Sequence, residues 1–229
     1  MAANANNKQN ADPPLLKQAW LMTTNFVIAV MWARAFSTGL TVGWMALSSR
    51  SGNDEQESSS SVDNICLDDL GGSVKVALYA SFLELFSSLL GITRSPIWAV
   101  GLFSCVRFGV EKLVAPMVPC TSWEHLLTVI VWGLGDTIRF GCFAMLSVFP
   151  GATMLKSIRF TISPLLFPVG AALEMLMVIR AGSENHKPIL YVAASLWPIC
   201  FYPMMQQLMR QRRKHFASLT PKKKVIKAV

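Results

Sequence analysis

Seven charged residues stand within or at the edge of long apolar runs: Arg34, Glu84, Arg107, Glu111, Asp136, Arg139 and Glu174. At membrane depth each costs a few kcal/mol unless it pairs or faces water, so their retention implies a polar interior. Asp136 and Arg139 are three apart and can pair along one helix; Arg107 and Glu111, four apart, can do the same. For those four, structural ion pairs that hold a bundle together are the favoured reading. Glu84 and Glu174 have no basic residue at helical spacing. A lone carboxylate between helices is a candidate for moving protons. Glu174 is the sharper of the two, because Phe167-Pro168-Val169-Gly170 precedes it by one turn. That Pro-Gly step predicts a kink or a break in the helix, and a break opens space that is tolerated only against protein or a water-filled cavity.

The elements that must position these charges are apolar runs of about 20 residues, the length that crosses a bilayer as a helix. They cover 20–47, 74–90, 97–115, 126–149, 158–179 and 189–209. The chain of 229 residues is 52% apolar and only 15% charged, with a mean hydropathy of +0.42. A soluble domain of this length needs more charge to wet its surface. The expected fold is therefore an all-α, polytopic membrane helical bundle of about six transmembrane helices. Four spans are the alternative, since the second and third runs are short and interrupted by Glu84 and Arg107.

Around this membrane domain, 20–209, lie a polar N-terminal segment, 1–19, and a basic tail, 210–229. The tail carries Arg210, Arg212, Arg213, Lys214, Lys222, Lys223, Lys224 and Lys227, which places it in the cytosol by the excess of lysine and arginine on cytoplasmic flanks. With six spans the N-terminus shares that side. The acidic, serine-rich loop 48–73 then faces the opposite side and reads as disordered. The net charge of +8 is thus mostly a topology signal, and a nucleic-acid partner is not expected. The first run is too long for a cleavable signal and reads as an uncleaved anchor. Cys66, Cys105, Cys120, Cys142 and Cys200 lack metal-ligand spacing, and His125, His186 and His215 are scattered, so neither a metal nor another cofactor is expected.

Several motifs occur in order: Leu83-Glu84, Gly91-Ile92-Thr93-Arg94-Ser95-Pro96, Asp136-Thr137-Ile138-Arg139-Phe140, Ile158-Arg159-Phe160-Thr161, then Phe167-Pro168-Val169-Gly170 with Glu174. Together they resemble the very-long-chain 3-hydroxyacyl-CoA dehydratase family, also called protein-tyrosine-phosphatase-like, in register over about residues 74–180. The resemblance implies a multi-pass protein of the endoplasmic reticulum membrane. Members remove water from 3-hydroxyacyl-CoA to give trans-2-enoyl-CoA in fatty-acid elongation. It also implies partners: the acyl-CoA substrate, membrane lipid and the other elongation enzymes. Phosphatase chemistry is not implied, because no cysteine here has an arginine six residues on.

The same resemblance assigns the catalytic pair, a tyrosine and a glutamate in the pattern Tyr-Pro-x-Gly-x-x-x-Glu. Glu174 falls on the glutamate and Phe167 on the tyrosine, and phenylalanine has no proton to give or take. Phe140 and Phe160 also replace tyrosines, and Ser87 stands where a histidine often follows Leu-Glu. Losing a positioned acid or base costs about 10²–10⁴-fold in rate. Two readings follow: an active dehydratase in which Glu174 carries the chemistry, with Ser163 or Tyr202 as replacement hydroxyls, or a silent relative that binds acyl-CoA or scaffolds the elongation enzymes. The phosphates of coenzyme A stay outside hydrocarbon and need cations at the cytosolic mouth, for which Arg94, Lys156 and Arg159 are available.

Overall fold

The computed structural model describes residues 15–49, 66–93 and 95–219, and the regular elements among them are all helical. Six α-helices follow one another: α1 (Leu15–Ser49), α2 (Gly71–Leu89), α3 (Ile97–Gly109), α4 (Trp123–Val148), α5 (Thr153–Glu184) and α6 (Pro188–Leu219). A π turn, Cys66–Leu70, leads into α2, and α3 continues through a second π turn, Val110–Val114, and a 3₁₀ turn, Ala115–Met117. The chain is an all-α polytopic membrane protein. Four helices, α1, α4, α5 and α6, are each long and apolar enough to cross a bilayer. The other two do not qualify on that measure; α2 carries Lys75 and Glu84, and α3 has only 13 residues before its π turn.

Successive helices nevertheless alternate in direction through the bundle. At one end, Gln18 on α1 donates to the Ser147 carbonyl of α4, and the Trp20 indole donates to Ser87 Oγ of α2 at 3.1 Å. Ser157 Oγ near the start of α5 meets His215 Nε2 near the end of α6 at 3.2 Å at that same end. At the other end a disulfide joins Cys66 to Cys120, and Asn185 Nδ2 donates to the Met117 carbonyl at 3.2 Å. The start of α1 and the end of α6 therefore lie together.

Local sequence explains the connections. Gly91 takes the left-handed conformation, φ 65°, just past α2, so that the Ile92 N–H reaches the Ser87 carbonyl at 2.9 Å. Pro96 then opens α3, where a missing N–H costs nothing. In the bundle α1 packs on α4, α4 on α5, and α5 on α6, with α2 and α3 completing the other flank. Gly133 makes the α1–α4 approach possible: a Cβ there would fall 2.7 Å from Phe36 Cβ and 2.9 Å from its Cα. Trp32 is fully buried and meets Trp132 edge-on, with ring centroids 6.3 Å apart. On α6 only Ala194 is buried, so most of that helix presents apolar side chains outward, as a lipid-facing helix should.

Three expectations are corrected here. Pro168 does not break the helix: α5 is continuous from Thr153 to Glu184 with Pro164 and Pro168 inside it. Each proline removes only its own N–H, and neighbouring turns hold the helix together. Part of the basic tail is not a separate segment, because α6 carries Arg210, Arg212, Arg213 and Lys214 on to Leu219. The stretch 66–72 of the acidic loop is helical and tied by its disulfide. The acidic and serine-rich remainder of that loop, the N-terminal segment and Lys222 to Lys227 lie outside the described residues.

Candidate active site

Because α5 is unbroken, Phe167, Gly170 and Glu174 fall on one face, spaced three and four apart. Three other helices present matching stripes to that face. They are Phe103 and Arg107 on α3, Trp132, Asp136 and Arg139 on α4, and Trp197, Phe201 and Gln211 on α6. Together they enclose a cavity of about 390 Å³. At Gly170 α5 lies against α4: a Cβ there would make ordinary contacts with Val131 Cγ1 at 3.5 Å and Trp132 Cδ1 at 3.9 Å.

Glu174 sits at the inner end of the cavity, 6% exposed. Its two oxygens are held separately: Trp132 Nε1 donates to Oε1 at 2.6 Å, and Trp197 Nε1 donates to Oε2 at 3.2 Å. Among the described residues it forms no ion pair. A carboxylate fixed by two rigid indoles keeps lone pairs free for a proton, and its position does not depend on a flexible partner. Nothing in the spacing of Trp132 and Trp197 from Glu174, 42 and 23 residues away, announced this arrangement.

Phe167 forms the middle wall. Its ring stacks on Phe201, centroids 4.8 Å apart at 11°, and lies tilted against Phe103 at 6.1 Å. These rings line the stretch of the cavity between the Glu174 end and the end lined by Arg159 and Gln211. Ser163 also lines the cavity, but it lies eleven residues before Glu174, about 16 Å along the axis. A serine cannot act on the same carbon pair as Glu174 across that distance. Tyr202 is 64% exposed and does not line the cavity, which removes it as a replacement hydroxyl.

The buried charges pair differently from their helical spacing. Arg107 forms a close ion pair with Asp136, and Arg139 with Glu84, both between helices. The Asp136–Arg139 pair survives only as a looser contact of 3.9 Å, and among the described residues Arg107 makes none with Glu111. Glu84 is therefore not a lone carboxylate. The four groups form a network beside the cavity, where low polarity makes each pair depend on the others.

Of the residues expected to meet coenzyme A, Arg159 lines the cavity, its guanidinium stacked over Phe143 at 3.7 Å. It has no carboxylate within ion-pair distance among the described residues. Lys156, half-buried in the first turn of α5, is not part of the cavity lining, and Arg94 lies outside the described residues. Among the described residues no three His, Cys, Asp or Glu side chains come together to hold a metal. Cys142 is buried, whereas Cys105 and Cys200 are exposed.

Fold and site together define a membrane helical bundle with a buried carboxylate at the inner end of an elongated, mostly apolar cavity. Residues 78–218 match the family model described as protein tyrosine phosphatase-like protein, PTPLA, which is the very-long-chain 3-hydroxyacyl-CoA dehydratase family. The chain belongs to that family. No curated protein and no solved structure shows significant similarity to it.

Proposed function

We propose that this protein is a very-long-chain 3-hydroxyacyl-CoA dehydratase of the fatty-acid elongation cycle, releasing water to give trans-2-enoyl-CoA. The observation that carries the reading is Glu174, held by Trp132 and Trp197 at the inner end of the cavity. Dehydration needs a base for the C2 proton and an acid for the departing hydroxyl, and one carboxyl group can serve as each in turn. Arg159 supports the reading from the other end. It stands fifteen residues before Glu174 on one continuous helix, about 22 Å away. An extended pantetheine arm spans that distance, so the phosphates of coenzyme A would meet Arg159 while the thioester reaches Glu174. Lys156, three residues earlier in the first turn of the same helix, adds positive charge at that end.

The membrane would be that of the endoplasmic reticulum, with both termini cytosolic. The Cys66–Cys120 disulfide at the opposite end supports this orientation, since disulfides persist in oxidising compartments such as the reticulum lumen. Phe167 favours a second reading. With no hydroxyl at the family's tyrosine position, the protein would be a silent relative that binds acyl-CoA or scaffolds other elongation enzymes. Purified protein is to be assayed on 3-hydroxyacyl-CoA beside Glu174→Ala. Turnover that the variant abolishes supports the dehydratase; binding without turnover in either form supports the silent relative.

A further inference from the structure

Among the described residues, Arg107 is the strongly buried cation in the cavity wall that has an unpaired donor. It is 8% exposed, pairs through Nη1 with Asp136, and its Nε–H has no hydrogen-bond partner among the described residues. Aromatic rings hold the guanidinium in place: its carbon lies 3.9 Å from the Phe103 centroid and 5.0 Å from that of Trp132. Trp132 is also the residue whose indole grips Glu174, so Arg107 and Glu174 share one neighbour. Nε itself is closed off from the cavity, but the guanidinium lines it, and a buried cation with unpaired N–H groups is completed by an acceptor from a ligand.

The local charge balance says what kind of acceptor. Arg107 and Arg139 are offset by Glu84, Asp136 and Glu174, so the inner cavity has no surplus of positive charge. A free carboxylate or phosphate would be repelled there, whereas a neutral carbonyl oxygen fits. We propose that Arg107 receives the thioester carbonyl oxygen of the acyl-CoA, an assignment that rests on the dehydratase reading.

The step balances with the residues present. Glu174 takes the C2 proton, and the C2–H electron pair moves onto the thioester, leaving an enolate oxygen at Arg107. As the carbonyl re-forms, that pair makes the C2=C3 bond and the C3–O bond breaks. The departing hydroxyl takes the proton back from Glu174 and leaves as water. A guanidinium aimed at the carbonyl stabilises the charge where it develops, which is worth about 10²–10³-fold in kcat.

The test uses two unreactive probes of equal chain length: a saturated acyl-CoA thioester and the alkyl-CoA thioether that lacks the carbonyl oxygen. The intact protein is expected to bind the thioester about tenfold or more tightly than the thioether, the usual worth of a hydrogen bond to a charged group. In Arg107→Lys, which keeps the charge but loses the planar fork, that preference should shrink to less than about threefold. If the variant also turns over, its kcat should fall by about 10²-fold, with KM rising by no more than the roughly tenfold that the bond contributes in the ground state. Equal affinity of the intact protein for both probes overturns the assignment even if Arg107→Lys does not fold. Failure to bind either probe overturns the dehydratase and acyl-CoA-binding readings as well, so the two failures are distinct.

Discussion

Trp132 donates its indole N–H to Glu174 Oε1 at 2.6 Å across the contact between α4 and α5. Trp132 is 2% exposed, so this bond lies away from bulk solvent. Trp132→Phe is expected to lower stability by about 1–3 kcal/mol, the cost of stranding a buried acceptor. Trp197→Phe should cost less, since its bond is longer at 3.2 Å and the residue is only partly buried. Thermal unfolding in detergent reads both. An equal loss from the two would show that the indoles do not hold Glu174 with different strength.

Phe167→Tyr restores the hydroxyl at the position the family fills with tyrosine. The ring lines the cavity, stacked on Phe201, so one added oxygen has space to enter. Dehydratase activity should rise by an order of magnitude or more, the lower part of what a positioned acid or base contributes. A natural protein that is already fast, with the variant neutral or slower, would mean that another group carries the tyrosine's role.

Arg139→Leu leaves Glu84 buried without its cation. Breaking such a pair from one side costs about 3–5 kcal/mol, while replacing both partners by apolar groups is often close to neutral. Glu84→Leu/Arg139→Leu should therefore unfold at a higher temperature than Arg139→Leu alone. The opposite order would show that Glu84 is stable without Arg139, contrary to the ion pair between α2 and α4.

Three of the five cysteines are free, and Cys66 is bonded to Cys120. Denatured protein should take up three maleimides before reduction and five after it, read by mass. Closing a 54-residue separation, the bond should contribute about 2–5 kcal/mol, which Cys120→Ser removes. In sealed microsomes an impermeant reductant added outside should leave it intact. Reduction from outside would place that end of the bundle, and the acidic loop with it, in the cytosol.

Helix positions, and the placing of Glu174 within an apolar helix, were legible in the sequence, because hydrophobic runs are local properties of a chain. Cys66 and Cys120 also lie outside the apolar runs and on one predicted side, which is the local signal for their pairing. Charge partners were another matter. Spacing of three or four suggested Asp136 with Arg139 and Arg107 with Glu111, yet the close pairs join residues 29 and 55 apart. The indole that fixes Glu174 stands 42 residues away. Which side chains meet between helices depends on how each helix is rotated and how deeply it docks, as Gly133 against Phe36 illustrates. Periodicity says which residues a helix can turn inward; only packing decides what they meet there.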